Sequence, residues 1–286
     1  MATSNNPKKD KKTVSREIGL EIASICGRHF LKLGHLHYGY WPKDLEVDIS
    51  NLWIAQENYT NFLNSHIPQR VEKILDVGCG TGHVARKLVD AGYHVDCVSP
   101  SPFFAKQTRD LLGNESEVFE SYYEQLQTEN RYDLILFSES FQYIPPEKAI
   151  EKTLGLLNSG GYLLISDIFR INIEEKSPVS GGHSLNQFFS IISKYPLELV
   201  DNLDITEETA PNIDIEDHMF KEAVRPVVDL LQQLLDSRYP FMSKLLKWKY
   251  RKKIDKLNKK YFTGDRTGAN FKKFKTYRVL LYKKTT

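Results

Sequence analysis

Residues 73–92, KILDVGCGTGHVARKLVDAG, set glycines at 78, 80 and 82 between a short apolar run and a helix-like one. Glycine lets the backbone turn sharply and lets another molecule rest against bare main chain. A glycine-rich turn from strand to helix is the nucleotide-binding device of open α/β sheets. The spacing here is G-x-G-x-G, because position 83 is His, so it departs from the dinucleotide pattern. No G-x-x-x-x-G-K-S/T run offers a phosphate cradle of the P-loop kind. Asp76, two residues before the first glycine, places a carboxylate at the strand end. That suits a cationic ligand group better than a pyrophosphate.

The turn sits in a longer alternation. KILDVG (73–78), HVDCVS (94–99), EVFESYY (117–123), YDLILFS (132–138), YLLISDIF (162–169), 197–204 and 274–284 read as strands. Residues 81–92, 101–113, 146–161 and 184–194 read as helices between them. This predicts an α/β fold: a Rossmann-like seven-stranded, mostly parallel sheet with helices on both faces, and ligands at the carboxyl ends of the strands. Ahead of it, 15–33 carries Ile18, Ile22, Ile25 and His29 on one helical face, and 49–65 forms a second helix. A stripe of Phe220, Val224, Val227, Leu231 and Leu234 runs through 215–238. Another, of Leu246, Tyr250, Ile254, Leu257 and Tyr261, runs through 243–261. The expected plan is a disordered tail (1–14), N-terminal lid helices (15–66), a core (67–205 with 271–286) and a helical cap inserted before the last strand (206–270).

Charge is unevenly spread along the 286 residues. The net charge is +2, yet residues 243–286 hold sixteen Lys or Arg against two acids, leaving 23 basic and 35 acidic residues for the rest. Such asymmetry points to an acidic partner, a membrane surface, or docking of the tail on the body. There is no run of eighteen apolar residues, and MATSNNPKKDKK lacks the apolar centre of a signal peptide. Cys26, Cys79 and Cys97 are odd in number and far apart, so neither a disulfide framework nor a metal site is expected, and a cytoplasmic setting is.

ILDVGCGTG resembles the first motif of class I S-adenosylmethionine-dependent methyltransferases. YDLILFSES and LLNSGGYLLISD, followed by a late closing strand, resemble that family's order of elements. The resemblance spans roughly 70–205 and 273–284. It implies S-adenosylmethionine as cofactor, its methionine part held by Gly78, Gly80, Gly82 and Asp76. Ser99 stands where the family usually has an acid for the ribose hydroxyls, and Phe104 stands where one branch has a substituting glutamine. The resemblance places Tyr122 at the adenine and Ser138 under the reacting methyl. LHYGYW resembles a capping segment of small-molecule and lipid-type members, with Tyr38 closing over the methionine end. Glu139 and His183 are the candidate bases, with His218 a third.

The fourth strand lacks the Pro-Pro turn of nucleic-acid amino methyltransferases, which argues against base methylation. The expected substrate is a small or lipid-like metabolite methylated at O, C or N. Residues 206–270, with Phe188, Phe189 and Phe220, would roof a greasy pocket. The basic helix at 244–260 could meet a membrane surface, an acidic carrier protein or RNA. The alternatives are an RNA methyltransferase and a non-catalytic binding module on the same fold.

Overall fold

A computed structural model describes residues 11–171, 174, 175 and 177–285. The expected tail lies outside the described residues up to position 10; residues 11–14 begin the first helix. In chain order the elements are α1 (Lys11–Leu31), α2 (Leu52–Ser65), β1 (Lys73–Val77), α3 (His83–Asp90), β2 (His94–Ser99), α4 (Pro102–Leu112), β3 (Val118–Glu120), β4 (Tyr132–Ser138), α5 (Pro146–Leu156), β5 (Leu157–Arg170), β6 (His183–Ser184), α6 (Leu185–Ile192), β7 (Leu197–Asp204), α7 (Thr206–Thr209), α8 (Pro211–Met219), α9 (Arg225–Arg238), α10 (Pro240–Tyr261), α11 (Gly268–Phe274) and β8 (Lys275–Lys284). A π-helical turn, Phe220–Val224, joins α8 to α9.

The strands form one sheet in the order β3-β2-β1-β4-β5-β8-β7, with the two-residue β6 pairing the end of β5. The first five run parallel, and β8 is antiparallel to both of its neighbours. Val77 pairs with Val98 on one side and Phe137 on the other, so β1, β2 and β4 end level. The chain leaves β1 for β2 on one side and returns to β4 on the other. That reversal opens a crevice at the carboxyl ends.

Both faces of the sheet are covered, which is why its strands read as continuous apolar runs. Ile74, Leu134, Leu136, Leu164 and Val279 pack with Leu63 of α2, Leu88 of α3 and Phe271 of α11. Their neighbours Leu75, Ile135, Phe137, Leu163 and Leu280 pack on the other face with Ile150 of α5 and Phe188 of α6.

Three expectations change. Ile18, Ile22 and Ile25 of α1 are exposed, and the face turned to the protein carries Glu17, Leu20, Glu21 and Ser24. Phe188 is wholly buried in the core between Phe141 and Phe169, and Phe220 stacks on Tyr261 with ring centres 4.6 Å apart. Val227, Leu231 and Leu234 are exposed on a hairpin of α9 and α10 instead of roofing a pocket.

Candidate active site

All three glycines of the turn have left-handed backbones, with φ of +77°, +53° and +83° at 78, 80 and 82. Their surroundings differ. A Cβ on Gly78 would stand 2.6 Å from Ser140 Cβ, and one on Gly82 would stand 2.9 Å from Thr108 Oγ1. A Cβ on Gly80 would meet nothing nearer than Leu36 Cδ1 at 3.7 Å. The outer two glycines therefore serve packing, while the middle one borders open space.

That space is a cleft of about 340 Å³ at the ends of β1, β2 and β4. Asp76, Gly78, Gly80, Ser99, Tyr122, Ser138 and Glu139 all line it, whereas Gly82, Tyr38 and His183 do not. Phe104 lines it too, where a glutamine was not to be found.

Two carboxyls face the cleft, one buried and one half-buried. Asp76 is buried, and its Oδ2 has no hydrogen-bond partner. Burial away from water pushes its pKa up to about 7. Glu139 has a left-handed backbone at φ +54°, uncommon for a residue with a long side chain. The conformation is held from both ends. Its N–H donates to Ser166 O (2.8 Å), and its Oε1 accepts from the Tyr38 N–H (2.8 Å) and the Tyr277 hydroxyl (2.9 Å). Burial, with the nearby Asp167 adding to it, raises Glu139 to about 8. Asp167 itself is pushed by burial to about 7, and accepts from Gln142 N (2.9 Å), Gln142 Nε2 (3.0 Å) and Ile168 N (2.7 Å). It thereby fixes the turn that follows Glu139.

A further wall of the cleft comes from residues 35–37 and from α1. His35, Leu36 and His37 line the cleft. Burial lowers His35 to about 2 and His37 to about 4, so both rings are neutral at physiological pH. The ring Nδ1 of His37 bonds the Tyr38 carbonyl at 2.8 Å, and Gln56 Nε2 donates to the His37 carbonyl at 2.8 Å. The Tyr38 side chain packs against the core and does not line the cleft. The segment does cap the cleft, through Leu36 and His37, while Tyr38 contributes its backbone. Glu17 and Leu20 of α1 also line the cleft, and Glu21 Oε1 accepts from Ser101 Oγ at 3.3 Å. An acid thus reaches the end of β2 from another element. The apolar periodicity of 15–33 gave no sign of it.

Neither histidine candidate reaches the cleft. His183 Nε2 bonds the carbonyls of Ile144 (2.9 Å) and Phe141 (3.2 Å), so the ring clasps the 141–144 turn. His218 is exposed on α8.

A family profile for a methyltransferase domain matches residues 54–194, the stretch that holds the glycine turn, Asp76 and Glu139. The chain belongs to the class I S-adenosylmethionine-dependent methyltransferases. This methyltransferase is 26% identical over 168 residues to an uncharacterised methyltransferase of Staphylococcus carnosus, covering 55% of this chain and 79% of that one. It is 31% identical over 117 residues to a ubiquinone biosynthesis O-methyltransferase of Xylella fastidiosa, covering 38% and 47%. In fold it is similar to geranyl diphosphate C-methyltransferase from Streptomyces coelicolor A3(2), solved with S-adenosylhomocysteine, with a TM-score of 0.65 at 16% identity over 99% and 100% of the two chains.

S-adenosylmethionine is the cofactor of this methyltransferase. The residues present fit it. An unpartnered buried carboxylate oxygen on Asp76 awaits a cationic partner, and the open side of Gly80 leaves room for a ligand against the main chain. Among the described residues no helix is long and apolar enough to cross a membrane.

Proposed function

We propose that this methyltransferase methylates a small or lipid-like metabolite at O, C or N, using the cleft between the glycine turn and residues 35–37. The observation that carries the reading is Asp76: a buried carboxylate with a vacant oxygen, four residues before Gly80, the glycine with open space beside it. The relatives named for ubiquinone biosynthesis and for geranyl diphosphate act on small metabolites, which supports a small acceptor here.

When bound, the cofactor supplies a methyl group on a positively charged sulfur, open to in-line attack. The chain's residues supply placement and a tuned electrostatic setting. Asp76 takes a cationic group of the methionine end, and Gly80 allows close approach. Tyr122 flanks the adenine. Ser99, at the end of β2, is joined by Glu17 from α1, which provides the acceptor oxygens that a lone hydroxyl lacks. Ser138 and Glu139 stand at the end of β4 beside the reacting centre. With its pKa near 8, Glu139 holds a proton in the empty protein at neutral pH. A cation in the cleft favours its release, leaving a carboxylate able to take a proton from an acceptor hydroxyl or amine. His183 acts only by holding the 141–144 turn.

The basic 243–286 segment suits contact with an acidic carrier protein or a membrane surface. Calorimetry with S-adenosylhomocysteine tests the site. Asp76→Ala and Gly80→Arg should abolish binding with the fold retained, as judged by circular dichroism. Undiminished affinity in either variant would overturn the assignment.

A further inference from the structure

The hairpin of α9 and α10 turns its side chains outward. No residue of α9 is buried, and Ser243 is the only buried one among the described side chains of α10. Ser243 marks the inner face of α10. Gln232 Nε2 donates to its Oγ (3.0 Å), and that Oγ donates to Asp236 Oδ1 (2.6 Å). One turn on, Lys247 Nζ donates to Asp236 Oδ2 at 2.9 Å. At about 100° per residue, Phe241, Leu245 and Trp248 point the opposite way. They are 82%, 50% and 76% exposed. Lys252, Lys256 and Lys259 continue that outer face, and α10 carries nine Lys or Arg against one acid, Asp255. On α9, Val227, Leu230, Leu231 and Leu234 are exposed as well.

Large apolar side chains clustered on one exposed helix face mark an interaction site. We infer that the outer face of α10 docks on a bilayer containing anionic phospholipid. Phe241, Leu245 and Trp248 enter the boundary between headgroups and acyl chains, and the lysines reach phosphate oxygens with their stems lying along the surface. Charge complementarity selects this occupant. A second copy would set two strongly cationic helices against each other. A polynucleotide would satisfy the lysines but leave Leu245 in water. The acidic remainder of the chain, with 23 basic and 35 acidic residues outside 243–286, is repelled by the same lipids, so the hairpin meets the surface first. The inference stands apart from the methyl-transfer reading, since membrane docking needs no cofactor.

Sedimentation of the full chain with phosphatidylcholine vesicles, with and without phosphatidylglycerol, tests it. Binding should require phosphatidylglycerol and fall as salt rises. Two triple variants, F241S/L245S/W248S and K252E/K256E/K259E, should each bind roughly tenfold more weakly or worse. Their affinity for S-adenosylhomocysteine should be unchanged, which reports that they fold. No binding to anionic vesicles at low salt overturns the inference, as does equal binding to neutral ones. A dimer in solution that the serine variant dissociates would assign the face to a second copy. Salt-sensitive RNA retention without vesicle binding would assign it to nucleic acid.

Discussion

The backbone N–H of Tyr38 donates to Oε1 of Glu139 across 2.8 Å, tying the segment that caps the cleft to the carboxyl at the end of β4. Cap and floor are therefore set by one hydrogen bond, which the Tyr277 hydroxyl reinforces from behind at 2.9 Å.

Replacing Glu139 separates its two roles. Gln keeps an oxygen for Tyr38 and Tyr277, so Glu139→Gln should fold with nearly unchanged melting temperature. If the carboxylate takes a proton during transfer, turnover by Glu139→Gln should fall by about 10²- to 10⁴-fold. Glu139→Ala leaves the Tyr38 N–H without its acceptor, while the Tyr277 hydroxyl keeps Tyr59, and should lose about 1 kcal/mol of stability as well. Thermal melts and single-turnover assays read the two effects independently.

Cofactor affinity should rise with pH up to the titration of Asp76. Below about 7 its carboxyl is protonated and must lose a proton to meet a cation. Affinity should then drop by roughly tenfold per pH unit on the acid side and level off above it. Calorimetry in buffers of different ionisation enthalpy should detect proton release near pH 6.5, and Asp76→Asn should show less of it.

Stability of the empty protein should run the other way. Asp76, Glu139 and Asp167 are raised by burial to about 7, 8 and 7, above their values in the unfolded chain. The folded state thus binds more protons, and these three groups make it less stable as pH rises from roughly 4 through 8. Melting temperatures of the ligand-free protein between pH 5.5 and 8.5 should carry this falling contribution. S-adenosylhomocysteine should restore more stability at the alkaline end.

The three glycines should separate in a substitution series. Gly78→Ala and Gly82→Ala force a Cβ within 3 Å of Ser140 and Thr108, on top of the roughly 1–2 kcal/mol that a left-handed backbone costs a non-glycine residue. Both should melt markedly earlier. Gly80→Ala meets only the backbone cost, because its nearest neighbour is 3.7 Å away. It should stay folded while losing affinity for S-adenosylhomocysteine.

His183→Asn should lower stability by about 1 kcal/mol through the loosened 141–144 turn. The pH dependence of turnover should be unaltered, since the ring lies outside the cleft. A lost acid–base limb in that profile would return His183 to the chemistry.

The sheet was legible because its strands are buried on both faces. YDLILFS and FKTYRVLLYKK contain apolar runs no solvent-facing segment would carry, and the glycine turn marked where they converge. The family resemblance singled out Asp76, Ser99, Tyr122, Ser138 and Glu139, and all five line the cleft. What pattern could not show is direction. In α1 the isoleucine stripe looked like the packing face, yet the inward face is the polar one, because it borders a cleft and not a core. At Tyr38 and Leu36, two positions apart, sequence could not decide which side chain turns inward. His183 carried no mark of the two carbonyls it would bind, since backbone acceptors are not written in residue identity.

The polar inner face of α1 also bears on exchange at the cleft. Its isoleucines are wet while the helix is docked, so swinging it aside uncovers little further oil. The latch consists of a few polar bonds, such as that between Glu21 and Ser101. A wall hung this way owes little to buried oil, unlike the strands behind it.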